Sequence, residues 1–136
     1  MGVEVKDPDK RAMWPALRNG MACKCPACGK GSLFRSYLKV NEVCPNCGEE
    51  LFHHRADDAP PYIAIVIVGH LIIFAMLHME MVWRVSPAVY LYTMLPLGIV
   101  LPLAMLPSIK GFIVGLQWGN RMHGFDPANR ENEPVY

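Results

Sequence analysis

The chain has 136 residues, of which 52% are hydrophobic and 18% are charged, with 13 Lys and Arg against 12 Asp and Glu. This hydrophobic content excludes an intrinsically disordered chain, and the near-neutral charge excludes a broad basic surface for nucleic acid. Charge is unevenly distributed, because only Glu80, Arg84 and Lys110 are charged between positions 60 and 117. These observations predict a membrane protein with a polar N-terminal part.

Residues 1–20 form a polar segment in which Pro8 and Pro15 interrupt any long helix. No apolar stretch follows the first residues, so a cleavable signal peptide is not expected. Trp14 and Leu17 are candidates for a short contact of this segment with lipid headgroups.

Residues 21–55 contain two copies of a short cysteine pattern, Cys25-Pro-Ala-Cys28-Gly and Cys44-Pro-Asn-Cys47-Gly. The 15 residues between Cys28 and Cys44 fit the spacing of a four-cysteine zinc ribbon. Zinc takes four thiolates tetrahedrally, and a glycine after each pair tolerates the positive φ that such turns require. We therefore predict a small β zinc ribbon that holds one structural Zn²⁺ per chain through these four cysteines. An iron–sulfur or redox site is the alternative, and Cys23 is read as a free thiol beside the site.

Two apolar stretches follow a short linker or helix cap at residues 56–60. They cover residues 61–83 and 87–109, and each is long enough to cross a hydrocarbon core of about 30 Å as a helix. Because only three residues separate them, we expect an antiparallel two-helix transmembrane hairpin. Lys and Arg are concentrated before the first stretch and after the second, so both termini are expected in the cytoplasm and the turn outside.

Several polar or sulfur-bearing side chains interrupt the first span. His70 lies near the middle of the bilayer by residue count, where an ionisable group is a candidate functional site. The alternative is a structural role, in which the neutral imidazole of His70 is hydrogen-bonded to the second helix or to a partner. Met76, His78 and Met81 are of the types that bind copper(I), although methionine is also an ordinary apolar filler. Together with His70, they form a possible second metal or haem site.

Glycines recur at every fourth position after the second span, at Gly111, Gly115 and Gly119. Such a ridge lets another helix pack closely. We predict a C-terminal interfacial helix over residues 110–125 that uses this ridge to pack on a partner, followed by a polar tail over residues 126–136. Pro96, Pro102 and Pro107 each leave a carbonyl unpaired in the second span, and neighbouring groups are expected to bond these carbonyls.

The ordered combination of these motifs resembles a bacterial family of small membrane proteins called domain of unknown function 983. The resemblance extends from about Arg18 to Phe125 and does not include Cys23. It implies a zinc ribbon fused to a two-helix hairpin, with genes that tend to lie among those for haem–copper oxidase subunits and assembly factors. It implies no biochemical activity. The residues that carry it are Cys25-Pro-Ala-Cys28-Gly-Lys-Gly31-Ser-Leu33-Phe34, Cys44, Cys47, Ala56-Asp57-Asp58, Pro60, Gly69-His70, Pro107-Ser-Ile-Lys110-Gly111 and Gly115-Leu-Gln117-Trp118.

Three hypotheses follow for function. No nucleophile–base pair, phosphate loop or paired-carboxylate site can be assembled, so an enzyme is not expected. The first hypothesis is an accessory protein of the bacterial inner membrane that binds terminal oxidase subunits or assembly factors. The second is a transmembrane copper or haem carrier that uses His70 or the cluster from Met76 to Met81. The third is a membrane-tethered ribbon adaptor, although acidic residues dilute the basic charge of the ribbon and no nucleic-acid partner is expected.

Overall fold

The computed structural model describes residues 12–53, 59–122 and 125 of the chain. Within these residues the elements are α1 (Met13–Met21), β1 (Phe34–Ser36), β2 (Lys39–Val40), α2 (Ala59–Val82) and α3 (Pro87–Gly119). Most of the predicted linker (56–58) and the predicted polar tail (126–136) lie outside the described residues, as do the first eleven residues of the N-terminal segment.

The cysteine-rich module folds around a two-stranded antiparallel sheet. Phe34 pairs with Val40, and isolated bridges at Lys24–Ser32 and Val43–Glu50 extend the pairing toward the two cysteine loops. A few buried apolar side chains, Leu33, Val40 and Leu51, form the centre of the module. A core of this size is small for an independent fold, and part of it packs on α3 through Ile109 and Val114.

The N-terminal segment contains a short helix, α1, which its polar composition does not predict. α1 spans nine residues, and Pro15 is tolerated because it lies in the first turn, where backbone N–H groups have no intrahelical acceptor. Ala16 and Gly20 are buried, whereas Trp14 is 75% exposed. The small residues Ala16 and Gly20 of α1 therefore face the rest of the protein, and Trp14 does not.

Helices α2 and α3 are long and apolar, at about 36 Å and 50 Å by residue count. α2 agrees with the predicted first span to within two residues at each end. α3 differs from prediction, because residues 110–119 continue it and do not form a separate interfacial helix. Lys110 does not mark an exit from the helix, since its ammonium group is used in a contact within the protein, described below. The helix remains continuous through Pro96, Pro102 and Pro107.

The two long helices contact each other along their length. The Tyr90 hydroxyl donates a hydrogen bond to Glu80 Oε2 at 2.9 Å near the turn between the helices. A Cβ added to Gly98 would lie 3.2 Å from Ile72 Cδ1. Farther from the turn, Ala64 belongs to the same buried cluster as Ile109 and Ile113 of α3.

Both long helices pass the length and composition criteria for a membrane span. Only 11% of the most apolar stretch of each is buried, whereas the core helix of a soluble protein is mostly buried. On α2 and α3 the exposed large apolar residues run from Tyr62 to Leu103, and the last third of α3 is covered by the ribbon and α1.

Candidate metal centre

The sulfur atoms of the four predicted cysteines form one cluster between the two cysteine loops. Their sulfur atoms are all within 4.8 Å of one another. Cys25 Sγ is 3.7 Å from Cys47 Sγ, and Cys28 Sγ is 3.8 Å from Cys44 Sγ. Four sulfurs bound tetrahedrally at about 2.3 Å from a zinc ion would be about 3.8 Å apart, so the observed arrangement fits a metal ion of this size.

Each cysteine pair is presented by the same tight turn. The Gly29 N–H donates to the Cys25 carbonyl at 2.8 Å, and the Gly48 N–H donates to the Cys44 carbonyl at 3.0 Å. These glycines have φ values of +68° and +76°, which a residue with a Cβ adopts only at a cost. The prediction that each pair needs the glycine that follows it is confirmed.

Backbone and amide N–H groups point at the sulfur atoms. The Gly31 N–H lies 3.5 Å from Cys28 Sγ, and Asn46 contacts Cys44 Sγ through its backbone and Cys28 Sγ through its side chain. The Gly31 N–H is the largest of the causes that lower the pKa of Cys28 to about 6. Donors of this kind stabilise thiolates and orient metal ligands.

Burial acts in the opposite direction on the pKa of Cys25 and of Cys47. Cys25 is fully buried, and this desolvation raises its pKa. Burial also raises the pKa of Cys47. Thiols in such a position become thiolates when a cation binds and displaces their protons, so the site couples metal binding to proton release.

The fifth cysteine is separate from this group. Cys23 has a φ of +60°, and its thiol lies beside the side chain of Ser108 on α3. Burial raises the pKa of Cys23. Its role is therefore a contact between the ribbon and α3, which fits the reading of a thiol outside the metal site.

Three hydrogen bonds, spaced along α3, hold the ribbon on this helix. The Tyr37 hydroxyl donates to the Leu103 carbonyl at 2.6 Å, and Lys110 Nζ donates to the Leu38 carbonyl at 2.7 Å. Trp118 Nε1 donates to Glu49 Oε1 at 3.0 Å. Sequence reasoning missed these three pairs, since each joins positions at least 66 residues apart.

One of these contacts has a signal in the sequence. In an α-helix the Leu103 carbonyl would accept the N–H of residue 107, but Pro107 has none. Tyr37 supplies the missing donor. The expectation that a neighbouring group bonds a carbonyl freed by proline is thus confirmed at this position, and the ribbon provides the group.

The predicted glycine ridge is occupied by the protein itself. Gly111 lies against the backbone of Gly20, and a Cβ on Gly115 would be 2.6 Å from the Ala16 carbonyl oxygen. A Cβ on Gly119 would be 2.8 Å from Met13 Sδ. The assignment of Gly111, Gly115 and Gly119 to packing on a partner protein was therefore wrong, because α1 of the same chain covers them.

The possible second site is spread along α2. His70 is exposed, and its Nδ1 donates a hydrogen bond to the Val66 carbonyl of the same helix at 2.7 Å. The hydrogen bond from His70 to the second helix, which was one expectation, is not formed. His78 packs edge-on against Trp83, and Met81 is 84% exposed. Among the described residues, the four cysteines form the group of His, Cys, Asp or Glu that can hold one ion. Binding of copper or haem through His70, Met76, His78 or Met81 stays a prediction.

Comparison with known proteins gives one family match. A family model described as Protein of unknown function (DUF983) matches residues 34–118, which include the second cysteine pair and both long helices. The first pair, Cys25 and Cys28, precedes the matched range. The comparisons with curated proteins and with solved structures found no match. Because the model covers more than half of the chain, the protein belongs to this family of unknown function.

Proposed function

We propose that this chain is a non-enzymatic accessory protein of the bacterial cytoplasmic membrane. It presents a zinc-bound ribbon at a fixed position beside the bilayer, with both termini in the cytoplasm. Its partner in this proposal is a haem–copper terminal oxidase, which it assembles or stabilises. The observation that carries the proposal is the attachment of a four-cysteine module to the C-terminal third of a long apolar helix.

Membrane insertion is supported by the surfaces of the two helices. Ile65, Phe74 and Leu95 are 65%, 69% and 57% exposed, and they represent an apolar surface that continues around both helices. Exposed apolar area of this extent is unfavourable in water at about 25 cal/mol per Å². Lipid removes that cost, and the hairpin provides two spans of sufficient length.

The scaffold role is supported by how firmly the ribbon is held. Its buried side chains Leu33, Val40 and Leu51 share one cluster with Ile109 and Val114 of α3. Three polar contacts add to this apolar interface, so the ribbon has one orientation relative to the helix. A module fixed in this way is suited to present a docking surface, because little conformational entropy is lost when a partner binds.

The choice of an oxidase as the partner is supported by the family resemblance alone. The glycine ridge is not available for packing on oxidase helices. Since α1 occupies the ridge, the proposed docking surfaces are now the outer face of the ribbon and the exposed faces of α2 and α3.

Affinity purification of the full chain in mild detergent, followed by mass spectrometry, tests this proposal. Subunits of a terminal oxidase or its assembly factors are expected to co-purify. A Cys44→Ser variant, which removes one ligand, should lose them, whereas Cys23→Ser should retain them because it leaves all four ligands in place. Recovery of the chain without any oxidase component would contradict the choice of partner.

The membrane and metal parts of the proposal have their own tests. The chain should remain with membranes after a high-salt or alkaline wash and should contain one zinc ion per chain by elemental analysis. A chain that is soluble without detergent would contradict membrane insertion. A Soret band in the optical spectrum, or copper in place of zinc, would favour the carrier hypothesis.

A further inference from the structure

An apolar groove of about 420 Å³ lies where α1, α2 and α3 meet. Its lining includes Met21 of α1, Ile63 and Ile67 of α2, and Met105, Ile109 and Phe112 of α3. The one polar side chain in the lining is that of Ser108, which lies beside the Cys23 thiol, and the other lining side chains are apolar. The groove therefore favours an occupant made of hydrocarbon.

The groove lies at the level where the proposed bilayer ends. A hydrocarbon core of about 30 Å takes about 20 residues of helix, so a span that starts at Pro87 ends near Pro107. The α3 residues of the groove, from Ala104 to Phe112, lie on both sides of this level. Ile63 and Ile67 are 39% and 37% exposed, so the groove is continuous with the surface that faces lipid.

A cation lies one helical turn beyond the groove. Arg18 is exposed and precedes Met21 by three residues, so both lie on the same face of α1. Gly20 packs at Gly111 and Ala16 at Gly115, so α1 extends away from the bilayer toward its N-terminus. Arg18 is thus placed about 5 Å farther out than Met21, at the level of lipid headgroups.

We propose that the groove between α1, α2 and α3 binds one acyl chain of an anionic phospholipid whose phosphate contacts Arg18. The apolar lining, the position at the bilayer edge and the cation beyond it match the order of parts in such a lipid. Arg suits this role because its guanidinium forms paired hydrogen bonds with phosphate oxygens. The bound lipid would fill the space between α1 and α2, which the ribbon does not reach.

Native mass spectrometry of the full chain released from detergent tests this proposal, with phosphatidylglycerol and phosphatidylcholine added in turn as probes. We expect one phosphatidylglycerol per chain, held about tenfold more tightly than phosphatidylcholine, because both lipids carry a phosphate but the choline ammonium of the second cancels its net negative charge and repels the Arg18 guanidinium. Arg18→Gln should reduce this preference to less than about twofold. Lys39→Gln, which removes an exposed cation from β2, should leave the preference unchanged.

A second pair of variants tests the groove itself. Ala104→Phe places a large side chain in the groove and should abolish retention of both lipids. Ile99→Phe, at an exposed position outside the groove, should not. Zinc content, measured in parallel, verifies that each variant is folded. Equal binding of the two lipids by the wild type, an unchanged preference in Arg18→Gln, or full retention in Ala104→Phe would each overturn the proposal.

The inference rests on the membrane insertion proposed above, and the two can fail separately. A chain that dissolves without detergent contradicts insertion and with it the lipid site. A chain that needs detergent but retains lipid in Ala104→Phe contradicts the lipid site alone. Dimers that form as lipid is removed would show that a second copy occupies the groove, which also overturns the proposal.

Discussion

The two ends of α3 have similar apolar sequences and opposite surroundings. Leu95 and Ile99, in its first half, are 57% and 56% exposed. Ile109 and Val114, in its last third, are 9% and 0% exposed, because the ribbon and α1 cover that part of the helix. One continuous helix therefore carries an exposed apolar surface at one end and part of a protein core at the other.

This difference shows that the hydropathy of a helix does not tell whether its surroundings are lipid or the core of a protein. Lipid and a protein core accept the same side chains, so the first half and the last third of α3 look alike in hydropathy. What separates them is the small residues Gly111 and Gly115, which let another helix approach, and Lys110 and Trp118, which bond to the ribbon. Substitutions at matched positions in the two parts should therefore have unequal effects.

Loss of the metal should have the largest effect. The ribbon has a small core, and zinc contributes about 10–16 kcal/mol to the folding of comparable zinc-finger peptides. Cys44→Ser, or treatment with a strong chelator, should unfold residues 23–53 and expose the last third of α3, while the lipid-facing part of α2 and α3 stays helical. Limited proteolysis and hydrogen exchange measure both parts in one experiment.

Cys23→Ser is the matched control for this experiment, because it leaves the four ligands intact. It should keep one zinc per chain and the wild-type cleavage pattern. Equal protection of residues 23–53 with and without metal would contradict a metal-dependent ribbon.

Truncation of a buried isoleucine should separate the two parts of α3 directly. Ile109→Ala removes a side chain packed against the ribbon and should cost about 2–5 kcal/mol in the stability of that interface. Ile99→Ala changes an exposed side chain and should cost much less, since lipid can adapt to the smaller surface. The stability of the ribbon toward denaturant, followed by hydrogen exchange of β1 and β2, gives both values, and equal costs would refute the proposed division.

A branched residue on the glycine ridge should release α1. In Gly115→Val the new Cβ meets the Ala16 carbonyl oxygen at 2.6 Å, so backbone must move, at a cost of about 1–3 kcal/mol. Faster hydrogen exchange over residues 13–21 is the expected readout. Gly69→Val is the control, because a Cβ at Gly69 meets no atom within 4 Å. Unchanged exchange of α1 in Gly115→Val would show that this contact is not required.

The local chemistry of the metal centre was predictable from the sequence. Two Cys-X-X-Cys-Gly units determine their own turns, because each glycine supplies the positive φ and each turn presents two sulfurs. The extent of α2 followed equally well from an uninterrupted apolar run. In both cases a short stretch of sequence contains all the residues that decide the outcome.

The attachment of the ribbon to α3 was not predictable in this way. The segment that forms α1 was predicted to contact lipid headgroups through Trp14 and Leu17, whereas Ala16 and Gly20 pack on a ridge about 95 residues away. Likewise the apolar run alone did not indicate that Lys110, which follows the predicted second span, bonds to the Leu38 carbonyl. Periodicity describes one helix at a time, and these residues take their roles from a second segment that only tertiary structure brings near.

The smallest expected effect concerns the hydrogen bond that joins the ribbon to the carbonyl freed by Pro107. Tyr37→Phe removes the donor and should cost about 1 kcal/mol in the stability of the interface. In a Pro107→Ala background, residue 107 regains an N–H that can bond the Leu103 carbonyl within the helix, so Tyr37→Phe should then cost close to nothing. The double-mutant cycle, measured by hydrogen exchange of β1 and β2, should therefore give a coupling of about 1 kcal/mol between residues 37 and 107. An equal cost of Tyr37→Phe in both backgrounds would mean that the hydroxyl does not compensate for the N–H that Pro107 lacks.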